Sequence, residues 1–443
     1  MSTVYTQPIS TLKGIVSAQK QGQAIGIPSI CSAHPYVIEA SFRQVLTTGL
    51  PVLIESTCNQ VNQFGGYTGI TPDGFIGYVR QIADACAFPH DRILFGGDHL
   101  GPSPWQDEPE TLAMNKARTL VRDYVAAGYS KIHLDASMKC ADDDSDRPLD
   151  KVVSARRAAE LAAVAEETRA STGGICPDYV IGTEVPLPGG AQEHEDTLAV
   201  TTPDDVAETI DVTRRAFLER GVVDAWERVL AVVVQPGVEY GDSTLFDYDH
   251  DAALDLYHFI EQDDQLIFEA HSTDYQKAEA LRDLVVDHFA ILKVGPALTF
   301  AFRESVFALA MIEQVWLSGR PGIELSKVRE HLDAAMLANP IYWQKYYPGD
   351  EQAQSLARRY SFSDRSRYFW PVPQVHAALQ QLLANLDQES IPLTLLSQYL
   401  PLQYERIRHG VLDNSVGALV LDKITLVLDD YSYACGQKTL ERR

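Results

Sequence analysis

The chain has 443 residues, of which 37 are basic and 61 are acidic, and its net charge is −24. Hydrophobic residues make up 45% and charged residues 22%, which is the composition of a globular protein rather than of a disordered one. The excess of acid argues against nucleic acid and anionic membranes as partners, because both are bound through lysine and arginine.

Six cysteines are spread at wide and irregular intervals without a CxxC pair, which is neither a disulfide framework nor a zinc ribbon. The first 12 residues are polar, and no apolar run approaches the roughly 18–20 residues of a membrane span. We therefore expect a reduced, cytoplasmic protein.

Eight short apolar runs rich in valine and isoleucine predict eight strands. They are continuously apolar, as strands buried on both faces are, and amphipathic helical patterns lie between them. This alternation predicts a parallel (β/α)8 barrel, the TIM barrel, over residues 10–320. The predicted strands cover residues 24–31, 51–56, 92–98, 131–135, 179–184, 229–235, 265–271 and 289–294.

The remaining residues, 321–443, have a different character. They are rich in tyrosine, glutamine and leucine and show no strand alternation. The segment is too apolar to stay solvated, so we expect a mainly helical C-terminal extension. It would pack on the barrel, cover its mouth or form a subunit contact.

Polar residues follow the predicted strands at the ends where barrels carry their active sites. Each strand delivers at least one such residue. Any single one has a structural alternative, but burying the whole set without a function is costly, so the set predicts an active site. These strand-end residues include Cys31, Glu55, Asp98, Asp135, Glu184, Gln235, His271 and Lys293.

Two histidines end predicted strands three and seven. His99 and His271, with Glu184 from strand five, supply three ligands for a divalent cation and leave a position open for substrate. Zinc suits histidine ligation, and a carboxylate also admits manganese. Asp98, directly before His99, is the candidate general acid/base, and Glu184 is a second catalytic candidate. His133 is predicted to lie inside strand four and is given no role.

The turns after strands seven and eight are the candidate phosphate site, where barrels hold phosphate with backbone N–H groups. Lys293 is interpreted as a catalytic or phosphate-binding cation, or as a Schiff-base amine; a salt bridge to Glu269 is the alternative. The side-chain amides of residues 59 and 60 are candidates for hydrogen bonds to sugar hydroxyls. The predicted substrate- or phosphate-binding residues are Asn59, Gln60, Asp135, Gln235, Ser272, Thr273 and Gly295.

Several long motifs resemble the Z-type (GatZ/KbaZ) subunit family of class II D-tagatose-1,6-bisphosphate aldolase. They include FGGDHLGP at 95–102, FEAHSTD at 268–274 and FAILKVGPALTFAFRE at 289–304, and the resemblance covers essentially the whole chain. It implies a barrel related to the metal-dependent class II aldolases, with Asp98 as general acid/base and His99 and His271 as metal ligands. Catalytic aldolases carry a histidine where this chain has Gln235, which removes one ligand unless Glu184 replaces it.

The resemblance implies two main functions. One is a subunit that supports the activity and stability of a catalytic aldolase subunit. The other is a metal-dependent epimerase that interconverts tagatose 6-phosphate and fructose 6-phosphate. Relatives also carry the label tagatose 6-phosphate kinase, which the sequence does not favour because it has no phosphate-cradling nucleotide loop. The structural alternative is that the polar residues at the strand ends serve packing alone. A ketohexose phosphate and a catalytic subunit are the expected partners, and a homo-oligomer stays open.

Overall fold

A computed structural model describes residues 11–182 and 198–439. The described strands are β1 (Ile27–Cys31), β2 (Val52–Thr57), β3 (Ile93–Leu100), β4 (Lys131–Leu134), β5 (Asp178–Ile181), β6 (Val229–Val234), β7 (Glu239–Tyr240), β8 (Leu245–Phe246), β9 (Ile267–Ala270) and β10 (Phe289–Val294). Eight of them are parallel and close into a barrel in the order β1-β10-β9-β6-β5-β4-β3-β2, so the predicted TIM barrel is confirmed. The other two, β7 and β8, pair antiparallel in a short hairpin outside the barrel.

Helices follow the barrel strands and surround them. Some begin at proline and others end at a left-handed glycine, and the helix that starts at Pro203 and stops before Gly221 does both. The helices are α1 (Leu12–Lys20), α2 (Pro35–Val45), α3 (Pro72–Ala85), α4 (Glu110–Ala127), α5 (Lys151–Thr172), α6 (Pro203–Arg220), α7 (Val223–Trp226), α8 (His250–Glu261), α9 (Ala278–Val286), α10 (Pro296–Leu317), α11 (Val328–Ala338), α12 (Glu351–Tyr360), α13 (Pro373–Leu386), α14 (Leu393–Tyr399), α15 (Pro401–Arg408) and α16 (Val416–Ala434).

The barrel interior is apolar at one end and charged at the other. Leu53, Ile267 and Ile291 belong to a buried apolar cluster that includes residues of α1, which closes the N-terminal end of the barrel. Two positions further along each of these three strands stands a charged residue, because alternate residues of a strand face the same side. The polar groups are therefore collected at the C-terminal mouth, above an apolar floor.

The C-terminal extension is helical, as predicted, and part of it joins the barrel. The last helix, α16, packs against α2, α9 and α10 and contacts β1. It therefore completes the ring of helices around the strands, although its residues lie more than 100 positions after the last strand. The predicted domain boundary at residues 320–321 stays a prediction.

A search of the described residues for helices that combine the length and the apolar character of a membrane span finds none.

Candidate metal centre and active site

Strand β3 places two adjacent functional residues at the barrel mouth. Gly96 and Gly97 precede them, and a Cβ on Gly96 would lie 2.5 Å from a carboxylate oxygen of Glu55. The glycine therefore lets this buried acid stand close beside the strand. His99 has a left-handed backbone with φ of 50°, which a non-glycine residue rarely adopts and which occurs often at functional sites.

Three histidines meet at the mouth, and a carboxylate holds each of them. His99 Nδ1 lies 2.8 Å from a carboxylate oxygen of Asp135. His133 Nδ1 lies 2.9 Å from a carboxylate oxygen of Asp98 and 3.2 Å from the backbone nitrogen of His99. His271 donates through Nε2 to Glu269 at 2.9 Å. Each contact fixes the orientation of a ring, as the carboxylate partners of metal-binding histidines do.

The side chains that meet here fit a divalent cation. One ligand atom from each of Asp98, His99, His133 and His271 lies within 4.8 Å of the others, and all four residues are buried. The ring centroids of the three histidines are 4.9 to 5.2 Å apart. His133 Nε2 is buried without a hydrogen-bond partner, and a metal ion would satisfy it. Three imidazoles and a carboxylate form a donor set that suits zinc and other first-row ions.

A buried charge network lies below the histidines. Lys131 pairs with Glu55 at 2.6 Å and with Glu269 at 2.7 Å, and all three side chains are fully buried. Lys293 pairs with Glu55 and, at 2.9 Å, with Asp98. The alternating signs offset the cost of removing these charges from water and fix the two acids that touch Lys293.

The same charges set the ionisation of the site. Burial raises the pKa of Asp98, but His99, Lys293 and the hydrogen bond from His133 outweigh it and hold that pKa well below its usual range. Burial lowers the pKa of Lys293, yet Asp98 and its other anionic neighbours outweigh burial and raise it. Lys293 is therefore a cation, and a neutral Schiff-base amine is disfavoured. Burial lowers the pKa of His271 to about 4, which favours the neutral ring that binds metal.

A cavity of about 630 Å³ opens above the cluster, a size that suits a small ligand. It is lined by the strand-end residues Asp98, His99, His271 and Lys293. The predicted substrate residues Asn59, Gln60, Ser272 and Gly295 also line it. The C-terminal extension adds Ile341, Tyr342, Lys345, Tyr346, Arg365, Arg367 and Tyr368. The extension thus covers part of the barrel mouth, one of the roles expected for it.

The other predicted residues lie behind the cavity wall. Asp135 orients His99, and Gln235 accepts hydrogen bonds from the backbone N–H groups of 237 and 238, which fixes its turn. The Thr273 hydroxyl donates to the carbonyl of Lys293 at 2.6 Å. Their predicted contact with substrate stays a prediction, and Glu184 lies outside the described residues.

A carboxylate occupies the predicted phosphate position. The backbone N–H groups of Gly295 and Ala297, at the start of α10, both donate to Asp274, at 3.0 and 2.8 Å. Burial raises the pKa of Asp274 to about 6, although these two hydrogen bonds lower it. The side chain therefore remains mostly an anion near neutral pH, at the helix end where many barrels bind phosphate.

Two elements of the candidate site did not emerge from the sequence. His133 was predicted to lie inside a strand without a role, but its ring reaches the metal cluster. The signal was the alternation in β4, where Lys131, His133 and Asp135 are polar and the two residues between them are apolar. The arginines of the extension carried no sequence signal, because only tertiary packing brings them to the barrel.

The fold and the site define a (β/α)8-barrel protein with a histidine–carboxylate centre suited to a metal at the C-terminal end of its strands. The chain belongs to the family described as D-tagatose-1,6-bisphosphate aldolase subunit GatZ/KbaZ-like, whose model matches residues 12–436. The resemblance seen in the sequence is therefore confirmed.

One solved structure is similar over nearly the whole chain. A probable tagatose 6 phosphate kinase from Sinorhizobium meliloti 1021 is 46% identical, with a TM-score of 0.84, over 93% of this chain and 100% of that chain. More distantly, fructuronate-tagaturonate epimerase from Cohnella laeviribosi is 12% identical with a TM-score of 0.47, over 92% and 81% of the chains. Fructose-bisphosphate aldolase from Campylobacter jejuni is 13% identical with a TM-score of 0.42, over 86% and 93%.

Proposed function

We propose that this chain is a metal-dependent enzyme acting on a ketohexose phosphate, and that it epimerises D-tagatose 6-phosphate at C4 to fructose 6-phosphate. One observation carries the proposal. Three histidines and the ionised Asp98 bring ligand atoms within 4.8 Å of one another, and three of these residues, Asp98, His99 and His271, line a cavity of a size that suits a sugar phosphate. A subunit that served packing alone would gain nothing from burying these groups.

The metal ligands are His99, His133 and His271. A zinc or manganese ion bound there would act as a Lewis acid on the substrate carbonyl. Asp135 and Glu269 would keep the rings of His99 and His271 in the ligating tautomer. Glu184 stays a predicted ligand and catalyst.

Asp98 is the proton carrier of the proposed reaction. Its carboxylate takes the proton of the C4 hydroxyl, the C3–C4 bond breaks, and C4 becomes an aldehyde carbon while the C1–C3 fragment keeps the electron pair. The aldehyde turns over, C3 attacks its other face, and Asp98 returns the proton to O4. The product has the same atoms and the same oxidation state as the substrate, and only the configuration at C4 changes.

Other residues of the cavity bind and orient the sugar. Lys293, 2.9 Å from Asp98, keeps that carboxylate ionised and stabilises negative charge that develops on the substrate oxygens. Asn59 and Gln60 offer side-chain amides to the sugar hydroxyls. These contacts hold the two fragments close together, so that the bond can reform.

The test is ¹³C NMR of tagatose 6-phosphate incubated with the purified chain and zinc or manganese. We expect fructose 6-phosphate to accumulate, and EDTA to stop its formation. Asp98→Asn should lower the rate by roughly 100-fold or more, because the proton carrier is lost. Asp413→Asn, which changes an exposed acid in the same way, should leave the rate unchanged.

Unchanged tagatose 6-phosphate in the presence of either metal contradicts the proposal. An Asp98→Asn rate equal to that of Asp413→Asn would remove Asp98 from the mechanism.

Membership of an aldolase subunit family supports a second candidate function. In it, the chain associates with a catalytic D-tagatose-1,6-bisphosphate aldolase subunit and increases its activity and stability. Size-exclusion chromatography of the mixture, with the aldolase rate and melting temperature of the catalytic subunit, tests this. Unchanged elution, rate and melting temperature would contradict it. The same column tests for a homo-oligomer, which stays a prediction, as does the cytoplasmic location.

A further inference from the structure

Two arginines of the C-terminal extension reach the cavity without a direct ion pair to a carboxylate of the described residues. Arg365 and Arg367 lie in a single 3-10 turn, Arg365–Tyr368, and both line the cavity that contains Asp98 and His99. In the part of the chain that the structure describes, no carboxylate forms an ion pair with either guanidinium. They differ in this from Lys293, whose charge is already shared between Glu55 and Asp98.

Both guanidinium groups are held by uncharged partners, and that of Arg365 keeps a free donor. Arg365 is 3% exposed, lies over the ring of Tyr346 and donates through Nη1 to the carbonyl of Tyr342 at 3.2 Å. Its Nε is buried without a hydrogen-bond partner. Arg367 lies over the ring of Tyr368, 4.5 Å from its centroid, and donates to the carbonyls of Ser363 and Asp364 and to the Tyr368 hydroxyl. A bound anion would satisfy the leftover donor of Arg365, and Arg367 would add its charge beside it.

The turn that carries them is anchored to the barrel. The carboxylate of Asp364, directly before the turn, pairs with Arg303 at 3.2 Å. It also accepts from the hydroxyls of Thr299 at 2.6 Å and Ser366 at 2.9 Å. Thr299 and Arg303 belong to α10, which follows the last barrel strand. The arginines are therefore fixed relative to the metal centre, and a ligand would not have to order them.

The usual phosphate position of the barrel is filled by the chain itself. The N–H groups of Gly295 and Ala297 already bind the carboxylate of Asp274. A phosphate dianion placed there would meet a negative charge instead of free donors.

We propose that Arg365 and Arg367 form the subsite that binds the phosphate group of the substrate, a phosphate monoester dianion, in place of the N-terminal end of α10. This inference rests on the proposed function, because it assigns the phosphate of that substrate. Two guanidinium forks present paired donors, which is the geometry that phosphate oxygens accept. The metal centre would then hold the carbonyl end of the sugar, while the extension holds its phosphate end.

The experiment measures binding separately from turnover, on the full-length, metal-loaded chain. Isothermal titration calorimetry with inorganic phosphate, tagatose 6-phosphate and unphosphorylated tagatose gives the three affinities. We expect Arg365→Gln and Arg367→Gln each to weaken phosphate and tagatose 6-phosphate by roughly 10- to 100-fold, and tagatose hardly at all. Arg320→Gln is the matched control, since this arginine also lies over an aromatic ring, Trp316, but outside the cavity.

Folding of the variants is checked by circular dichroism and thermal melting. If either glutamine variant does not fold, Arg365→Lys and Arg367→Lys replace it, and an intermediate affinity is expected because lysine keeps the charge but not the fork. Lys345→Gln removes the exposed cation at the cavity rim and should weaken phosphate less than the arginine variants do.

The outcomes separate this inference from the proposed function. If the wild-type chain does not bind phosphate, or if folded arginine variants bind it as Arg320→Gln does, the subsite is refuted whatever the turnover. If the arginine variants lose phosphate while the wild type converts no ketohexose phosphate, the subsite is supported and the proposed reaction fails.

Discussion

Replacing Lys131 by methionine tests whether the buried charge network holds the site together. The Lys131 ammonium lies between Glu55 at 2.6 Å and Glu269 at 2.7 Å, and none of the three side chains is exposed. Methionine has nearly the same length and fills the space without the charge. The two carboxylates would then share Lys293 alone, and Lys293 is 4.0 Å from Glu269.

The expected cost follows from this geometry. Removing one partner of a buried ion pair leaves an uncompensated charge and costs about 3–5 kcal/mol. Here the ammonium serves two carboxylates, so we expect the upper part of that range. Because Glu269 also orients His271, the variant should bind zinc more weakly as well.

Urea denaturation followed by circular dichroism measures the free energy of unfolding. Lys277→Met is the matched control, since Lys277 is 70% exposed, pairs with Asp247 and should change stability by less than about 1 kcal/mol. In a double variant with Glu55→Gln, part of the lost stability should return because one unpaired charge has been removed. A Lys131→Met protein as stable as Lys277→Met would refute the electrostatic account of the network.

Three further predictions concern the site and the barrel. His133→Ala should weaken zinc by at least about 10-fold in a chelator competition, whereas the exposed His331→Ala should not; equal affinities would remove His133 from the metal centre. Gly101→Ala should cost about 1–3 kcal/mol in urea denaturation, because its Cβ would lie 1.6 Å from a backbone oxygen, whereas Gly77→Ala, with open space in α3, should stabilise by up to about 1 kcal/mol. Burial lowers the pKa of His34 to about 3 in the folded protein, against about 6.5 in the unfolded chain. The free energy of unfolding is therefore unaffected by His34 above pH 6.5 and decreases as pH falls towards 3, by about 1–2 kcal/mol at pH 5. His34→Gln should flatten this pH dependence of the melting temperature, and an unchanged slope would contradict the assignment.

The barrel could be predicted from the sequence because its strands are buried on both faces. Continuous apolar runs identified all eight barrel strands, with ends within three residues of those found. The position of Asp98 and His99 followed as well, because polar residues directly after such a run must lie at the mouth. Burial and chain direction are therefore enough to predict the barrel strands and the residues at its mouth.

The inward register of the strands was harder to predict. Reading β4 as uniformly apolar hid the polar alternation that directs Lys131 and His133 into the barrel, where charged neighbours from other strands offset their burial. That compensation is tertiary, so no local pattern reveals it. The same holds for Arg365 and Arg367, which follow the last barrel strand by about 70 residues and return to its mouth through the contacts of Asp364.

The net charge of −24 is compatible with an anionic substrate, because surface charges and charges inside the cavity act over different distances. Surface carboxylates are screened beyond roughly 10 Å at moderate salt, whereas groups inside a cavity are screened much less. In the cavity, the cations Lys293, Arg365 and Arg367 face the anions Asp98 and Asp274. Asp98 is paired with Lys293, and Asp274 is bound by two backbone N–H groups, whereas neither arginine forms a direct ion pair with a carboxylate of the described residues. The acidic surface would slow the approach of a phosphate, and the cavity would hold it once it has entered.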